Sequence, residues 1–141
     1  MPITHSIYHP NRLVVAKCRG TLIDSEVFSY QKEVWADPSL AGYDELVDMD
    51  DVDKIVLPSV ERIRELADLA AAMDVSGAPS KLAIVASEDL AFGLGRMYGT
   101  RREMNRKTTK QVEVFRSREK ALEWLGVRKE DLQEVEARRS D

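Results

Sequence analysis

Lys81-Leu82-Ala83-Ile84-Val85-Ala86-Ser87-Glu88-Asp89 is the stretch whose reading decides the fold. Its first six residues form a near-continuous apolar run, the pattern of a strand covered on both faces, as parallel sheets require. The serine with two acids behind it is a helix start signal, because a serine oxygen accepts from free N–H groups and acids favour the positive helix end. The stretch therefore reads as one strand-to-helix junction of a winding α/β sheet. Downstream, Gln111–Phe115 supplies another strand, and Ser117 caps a helix carrying Ala121, Leu122, Trp124 and Leu125. Gly126 suits the left-handed position that ends such a helix, and Val127 folds back on its last turn.

Upstream, Ile3–Tyr8 and Arg12–Arg19 read as an antiparallel hairpin turned by His9-Pro10-Asn11, with Gly20 and Thr21 breaking the second strand. Asp24–Ala36 places Val27, Phe28, Gln31, Val34 and Trp35 at helical spacing before Asp37-Pro38 stops it. Tyr43–Asp48 reads as a short strand, followed by an acidic loop through Asp50, Asp51 and Asp53. A helix starting at Pro58-Ser59 repeats Val60, Ile63, Leu66, Ala67, Ala70 and Met73 every three to four residues. Glu88 to about Asn105 continues the first junction as a helix, although Gly93, Gly95 and Gly99 each cost about 1 kcal/mol relative to alanine. These elements predict a single α/β domain over residues 1–126, with a mixed, mostly parallel sheet of about five strands and helices chiefly on one side. Residues 127–141 form a charged helical tail that Leu132 and Val135 alone are able to anchor.

A chain of 141 residues with 43% hydrophobic and 33% charged residues is long enough for one core and too apolar to be disordered. A net charge of −4 gives no general case for nucleic-acid binding. No apolar stretch approaches the ~20 residues that span a bilayer. Cys18 is the only cysteine, so no internal disulfide forms, and a reducing cytoplasm is the expected compartment.

Chemical motifs are sparse. Gly93, Gly95 and Gly99 have the wrong spacing and position for a dinucleotide loop. His5 and His9 fall in a strand and a turn and share no helical face. Asp50-Asp51-Val52-Asp53 lacks the glycine and terminal glutamate of a calcium loop. No nucleophile elbow or phosphate-binding loop occurs. The expectation is a protein without catalytic residues, bound metal or cofactor. Charge is unevenly placed. Asp44, Glu45, Asp48, Asp50, Asp51 and Asp53 crowd the third strand and its exit, and Arg96, Arg101, Arg102, Arg106, Lys107 and Lys110 crowd the end of the 88–105 helix and beyond. In a parallel sheet these clusters fall at opposite ends, which predicts an electrically polar domain.

Gly20-Thr21 before a helix, Asp48-Met49 ending a strand, the Lys81–Ala86 strand, Gly93-Leu94-Gly95-Arg96-Met97, and Val114-Phe115 leading to Ala121-Leu122-Glu123-Trp124-Leu125-Gly126 resemble the bacterial SpoIIAA-like proteins. These are of the STAS and Sec14 (CRAL-TRIO) type, and the resemblance runs from about Ile7 to Gly126. It implies a cytosolic, non-enzymatic regulatory module acting through protein partners or self-association. In the sporulation antagonists a serine beginning the helix after the third strand is phosphorylated. Ser59 falls at that place, without a second serine or a glycine following, and Asp50, Asp51, Asp53 and Ser59 become the candidate partner loop. Sec14-type relatives enclose a lipid behind a mobile helix. That likeness implies an alternative function, the binding of an apolar small molecule or lipid under the 88–105 helix, with Phe92, Met97, Tyr98, Arg101 and Arg102 as ligand or lid residues.

Overall fold

The computed structural model describes residues 2–57 and 59–132. Among the described residues nine regular elements follow in the order β1 Ile3–Tyr8, β2 Leu13–Ile23, α1 Asp24–Trp35, β3 Asp44–Val56, α2 Glu61–Met73, β4 Ser80–Val85, α3 Asp89–Met104, β5 Lys110–Phe115 and α4 Arg118–Leu125. Short 3-10 turns at His9–Asn11 and Pro38–Leu40 join β1 to β2 and precede β3. A further helical turn begins at Lys129, and Leu132 in it is buried in the core. Val135 lies outside the described residues.

All five strands form one sheet in chain order, with β1 antiparallel to β2 and every later neighbour parallel. This order has a steric consequence. Parallel crossovers are right-handed, and each new strand is added to the same edge, so the three crossover helices land on one face. α1, α2 and α3 accordingly share a face, and α4, which follows the last strand, packs on the other against β3, β4 and β5. The α4 face holds the main core of Leu13, Val15, Leu46, Ala83, Val85, Ala121 and Leu122. The opposite face is centred on Leu82, Ile84 and Val112, with Val47, Met49 and Tyr98 against them.

Local signals account for most boundaries. Ser117 accepts from the Lys120 N–H as the α4 cap, and Gly126 closes that helix with φ 74°, while the Val127 N–H donates to the Leu122 carbonyl. Three expectations fail. β2 runs through Gly20 and Thr21 to Ile23, and β3 is 13 residues long instead of ending at Asp48. Register shifts near Cys18 and between Gly20 and Thr21, each with the extra residue on β3, absorb the irregularity, so Gly20 at φ 63° stays within the strand. The acidic segment is therefore strand and not loop. Neither Ser87 nor Ser59 caps a helix through its side chain. α3 and α2 begin later, after Glu88 and Val60, with no side-chain cap bond at either.

Candidate functional site

The face bearing three helices contains an apolar cleft of about 150 Å³, open on one side. It exists because α2 is held by α3 and α1 more than by the sheet. Its floor consists of Ala16 and Cys18 from β2, Val47 from β3, and Leu82 and Ile84 from β4; Ile63 and Leu66 of α2 form its roof. Val27 and Phe28 of α1 and Leu94 of α3 close the sides.

At the mouth, Arg62 of α2 reaches α1. Its Nε donates to Asp24 Oδ2 at 2.6 Å and its guanidinium lies 4.1 Å from the centre of the Phe28 ring. Arg62 thereby straps the amino end of α2 across the opening. Deeper in, the cleft meets a polar wall. Glu45, only 3% exposed, accepts from Tyr30 Oη at 2.7 Å and Trp35 Nε1 at 3.1 Å, and pairs with Lys110 Nζ at 3.3 Å. The ammonium lies 3.5 Å from the centre of the Trp35 ring. Burial, reinforced by the Glu45 charge, pushes the Tyr30 phenol well above its ordinary range, and burial draws Lys110 below the usual lysine range. The Cys18 thiol is pushed up to about 12, first by burial and then by Asp48 and Glu45. It stays protonated at neutral pH and is no nucleophile.

The sequence-predicted ligand residues divide. Tyr98 lines the cleft; Phe92, Met97, Arg101 and Arg102 do not. Phe92 is stacked on the outside under Arg116, 4.0 Å from ring centre to guanidinium. Met97 is exposed, and Arg101 makes a surface pair with Asp68 at 3.0 Å. Arg102 is buried at 1% exposure, bonded to Asp74 at 2.7 Å and to the Tyr98 hydroxyl at 2.8 Å. Burial raises the Tyr98 phenol to about 12. The glycines of α3 do not loosen it. A Cβ on Gly99 would come within 2.9 Å of Val112 Cγ1, so Gly99 seats the helix against the sheet, whereas one on Gly95 would make ordinary contact with Ile84 and Val114 at 3.4 Å. Leu90 and Met104 of the same helix are exposed.

The predicted partner residues share the carboxyl end of β3 without forming a cation site. Asp50 accepts from the Ser87 N–H at 3.0 Å, Asp51 pairs with Lys17 at 3.2 Å, and Asp53 and Ser59 are exposed. Asp48 is buried against Arg118 at 3.1 Å. Among the described residues no group of three potential metal ligands is brought together. Part of the basic cluster is paired locally, since Arg101 and Arg102 meet Asp68 and Asp74, and Lys110 meets Glu45. The cleft wall itself was not legible as a site, because its residues carry ordinary core chemistry.

No family model and no curated protein matches the sequence. Among solved structures, the chain is similar to an uncharacterized protein of the DUF3478 family from Shewanella loihica PV-4, at 19% identity and a TM-score of 0.52, covering 87% of this chain and 91% of that one. That protein is described as having a SpoIIAA-like fold. With its antiparallel first strand, its chain-ordered parallel strands and three helices on one face, the present chain has that SpoIIAA-like fold.

Proposed function

We propose that this chain is a binding module, without catalytic activity of its own, whose cleft under α2 receives a compact apolar molecule about the size of one aromatic ring. The observation carrying this reading is the cleft of about 150 Å³ with its aliphatic wall. A cavity of roughly 150 Å³ lined by aliphatic and aromatic groups stays dry and accepts benzene or xenon. The polar groups at its deep end are engaged with one another, so they orient a ligand without demanding charge from it. The lid in this reading is the amino half of α2, strapped by Arg62, and not α3.

The test is titration of the isotope-labelled protein with benzene and indole, followed by amide and methyl NMR and by thermal unfolding. Cleft residues Ala16, Val47, Ile84 and Leu66 should shift, with a concentration-dependent rise in melting temperature. Ala16→Ile, which fills the floor, should abolish both while remaining folded. Titrations that leave these signals unmoved would overturn the reading.

A second reading, regulation through a protein partner, is supported by one observation. Ile23, Val56 and Val60 are exposed together beside Ser59 at the carboxyl end of β2 and β3. Phosphorylation of Ser59 would place about −1.5 to −2 charges beside that apolar surface. Intact-mass measurement of protein from its own host, with and without phosphatase, tests it, and an unmodified Ser59 in all growth conditions counts against it.

A further inference from the structure

We infer that the ligand of the cleft under α2 is a neutral phenol, a single ring whose hydroxyl is read by Gln31 of α1 and Tyr98 of α3. The inference rests on the proposed role of the cleft as a ligand site and narrows the class of molecule that it takes. Gln31 is the one polar residue on the stripe of α1 that otherwise holds Val27, Phe28, Val34 and Trp35. It is only 6% exposed and lines the cleft. Among the described residues its one hydrogen-bond partner is the Met73 sulfur, 3.8 Å from Nε2, and a thioether is a weak acceptor. Its carbonyl Oε1 accepts from no described residue. A buried amide in that state costs stability, so an apolar side chain would serve better here if packing were its whole task.

Tyr98 lines the same cleft and has the complementary need. Arg102 Nη1 donates to its hydroxyl at 2.8 Å. A guanidinium accepts nothing, so the Tyr98 proton requires another acceptor, and no described residue supplies one. Burial raises the phenol to about 12, which keeps that proton in place at neutral pH. Both side chains are tied to the carboxyl end of α2, Gln31 through Met73 and Tyr98 through Arg102 and Asp74. The cleft thus offers one acceptor and one donor beside its aliphatic wall. A hydroxyl answers both, donating to Gln31 Oε1 and accepting from Tyr98 Oη. An ether or ketone answers only the tyrosine, and a carboxylate would bring a buried charge next to Glu45. The rings of Phe28 and Tyr30 in the lining suit an aromatic face. A volume of about 150 Å³ accommodates one ring with its hydroxyl.

NMR titration of the isotope-labelled full chain with phenol, and with toluene as the near-isostere that has no hydrogen-bonding group, gives both dissociation constants. Phenol should bind roughly tenfold more tightly, since toluene leaves Gln31 and Tyr98 unpaired. Gln31→Leu, similar in volume but without the carbonyl, should retain toluene binding and lose the preference for phenol. Tyr98→Phe should reduce the preference in the same way. Equal affinities in the unchanged protein, or a preference that survives Gln31→Leu, would overturn the inference and leave the cleft as a site for hydrocarbons. Phenol shifts that persist in Ala16→Ile would equally overturn it, by placing the binding outside the cleft. Failure of both molecules to bind would remove the cleft reading and this inference together.

Discussion

Gly99→Ala, compared with Gly93→Ala, decides whether α3 is a seated helix or a loose flap. Both substitutions gain about 1 kcal/mol of helix propensity, since each replaces an interior glycine. At Gly93 nothing lies within 4 Å of the new Cβ, so the gain is kept. At Gly99 the Cβ would meet Val112 Cγ1 at 2.9 Å and Val112 Cβ at 3.3 Å, against the 3.5–4.0 Å of a relaxed carbon contact. Val112 is buried and branched at Cβ, so relief requires lifting α3 from β5 or forcing Val112 off its rotamer. Overpacking of this kind costs about 1–3 kcal/mol. The expected result is Gly93→Ala more stable by about 1 kcal/mol and Gly99→Ala less stable by up to about 2 kcal/mol. Urea unfolding of the two variants with an unchanged m-value measures the difference. The companion Gly99→Ala/Val112→Ala should remove the clash, so that its loss falls below the sum of the two single losses. If Gly99→Ala stabilises as much as Gly93→Ala, α3 is not held to the sheet by its glycines and the seating argument is wrong.

Asp74→Ala should cost about 3–5 kcal/mol, because it leaves the buried Arg102 charge uncompensated, whereas Asp74→Leu with Arg102→Met should cost far less; chemical denaturation distinguishes them. Alkaline stability is set by groups whose protons the fold retains. The Cys18 thiol, ordinarily near 9, is raised to about 12 in the folded chain, and the folded state then binds the proton that the unfolded chain has lost. Stability is therefore intact below pH 9 and falls as pH rises from 9.0 towards about 12. Cys18→Ala should delay that fall until the tyrosines titrate, as followed by thermal unfolding across pH; an unchanged onset would remove Cys18 as its cause.

Periodicity and punctuation were enough for the architecture, and the reason is local. The Lys81–Ala86 run has no polar face to give to water, Ser117 and Gly126 carry their cap geometry in their own chemistry, and chain-ordered parallel strands leave only one hand for the crossovers. Reading failed where a residue has two uses. Gly20 breaks a strand in isolation but stays within one when β3 pairs alongside, with the extra residue taken up on β3. Gly99 weakens a helix in isolation, yet it lets α3 approach Val112 of β5 more closely than a side chain would allow.

The candidate site marks the same boundary more sharply. The amino-acid order alone determined that a SpoIIAA-like sheet would form and that its helices would gather chiefly on one face. It assigned the lid to the glycine-bearing α3, because helix propensity is a property of the segment itself. Only the tertiary structure decided that α2 stands off the sheet and leaves the cleft. Where a helix rests depends on side chains supplied by three other elements, and no spacing within α2 records the gap beneath it.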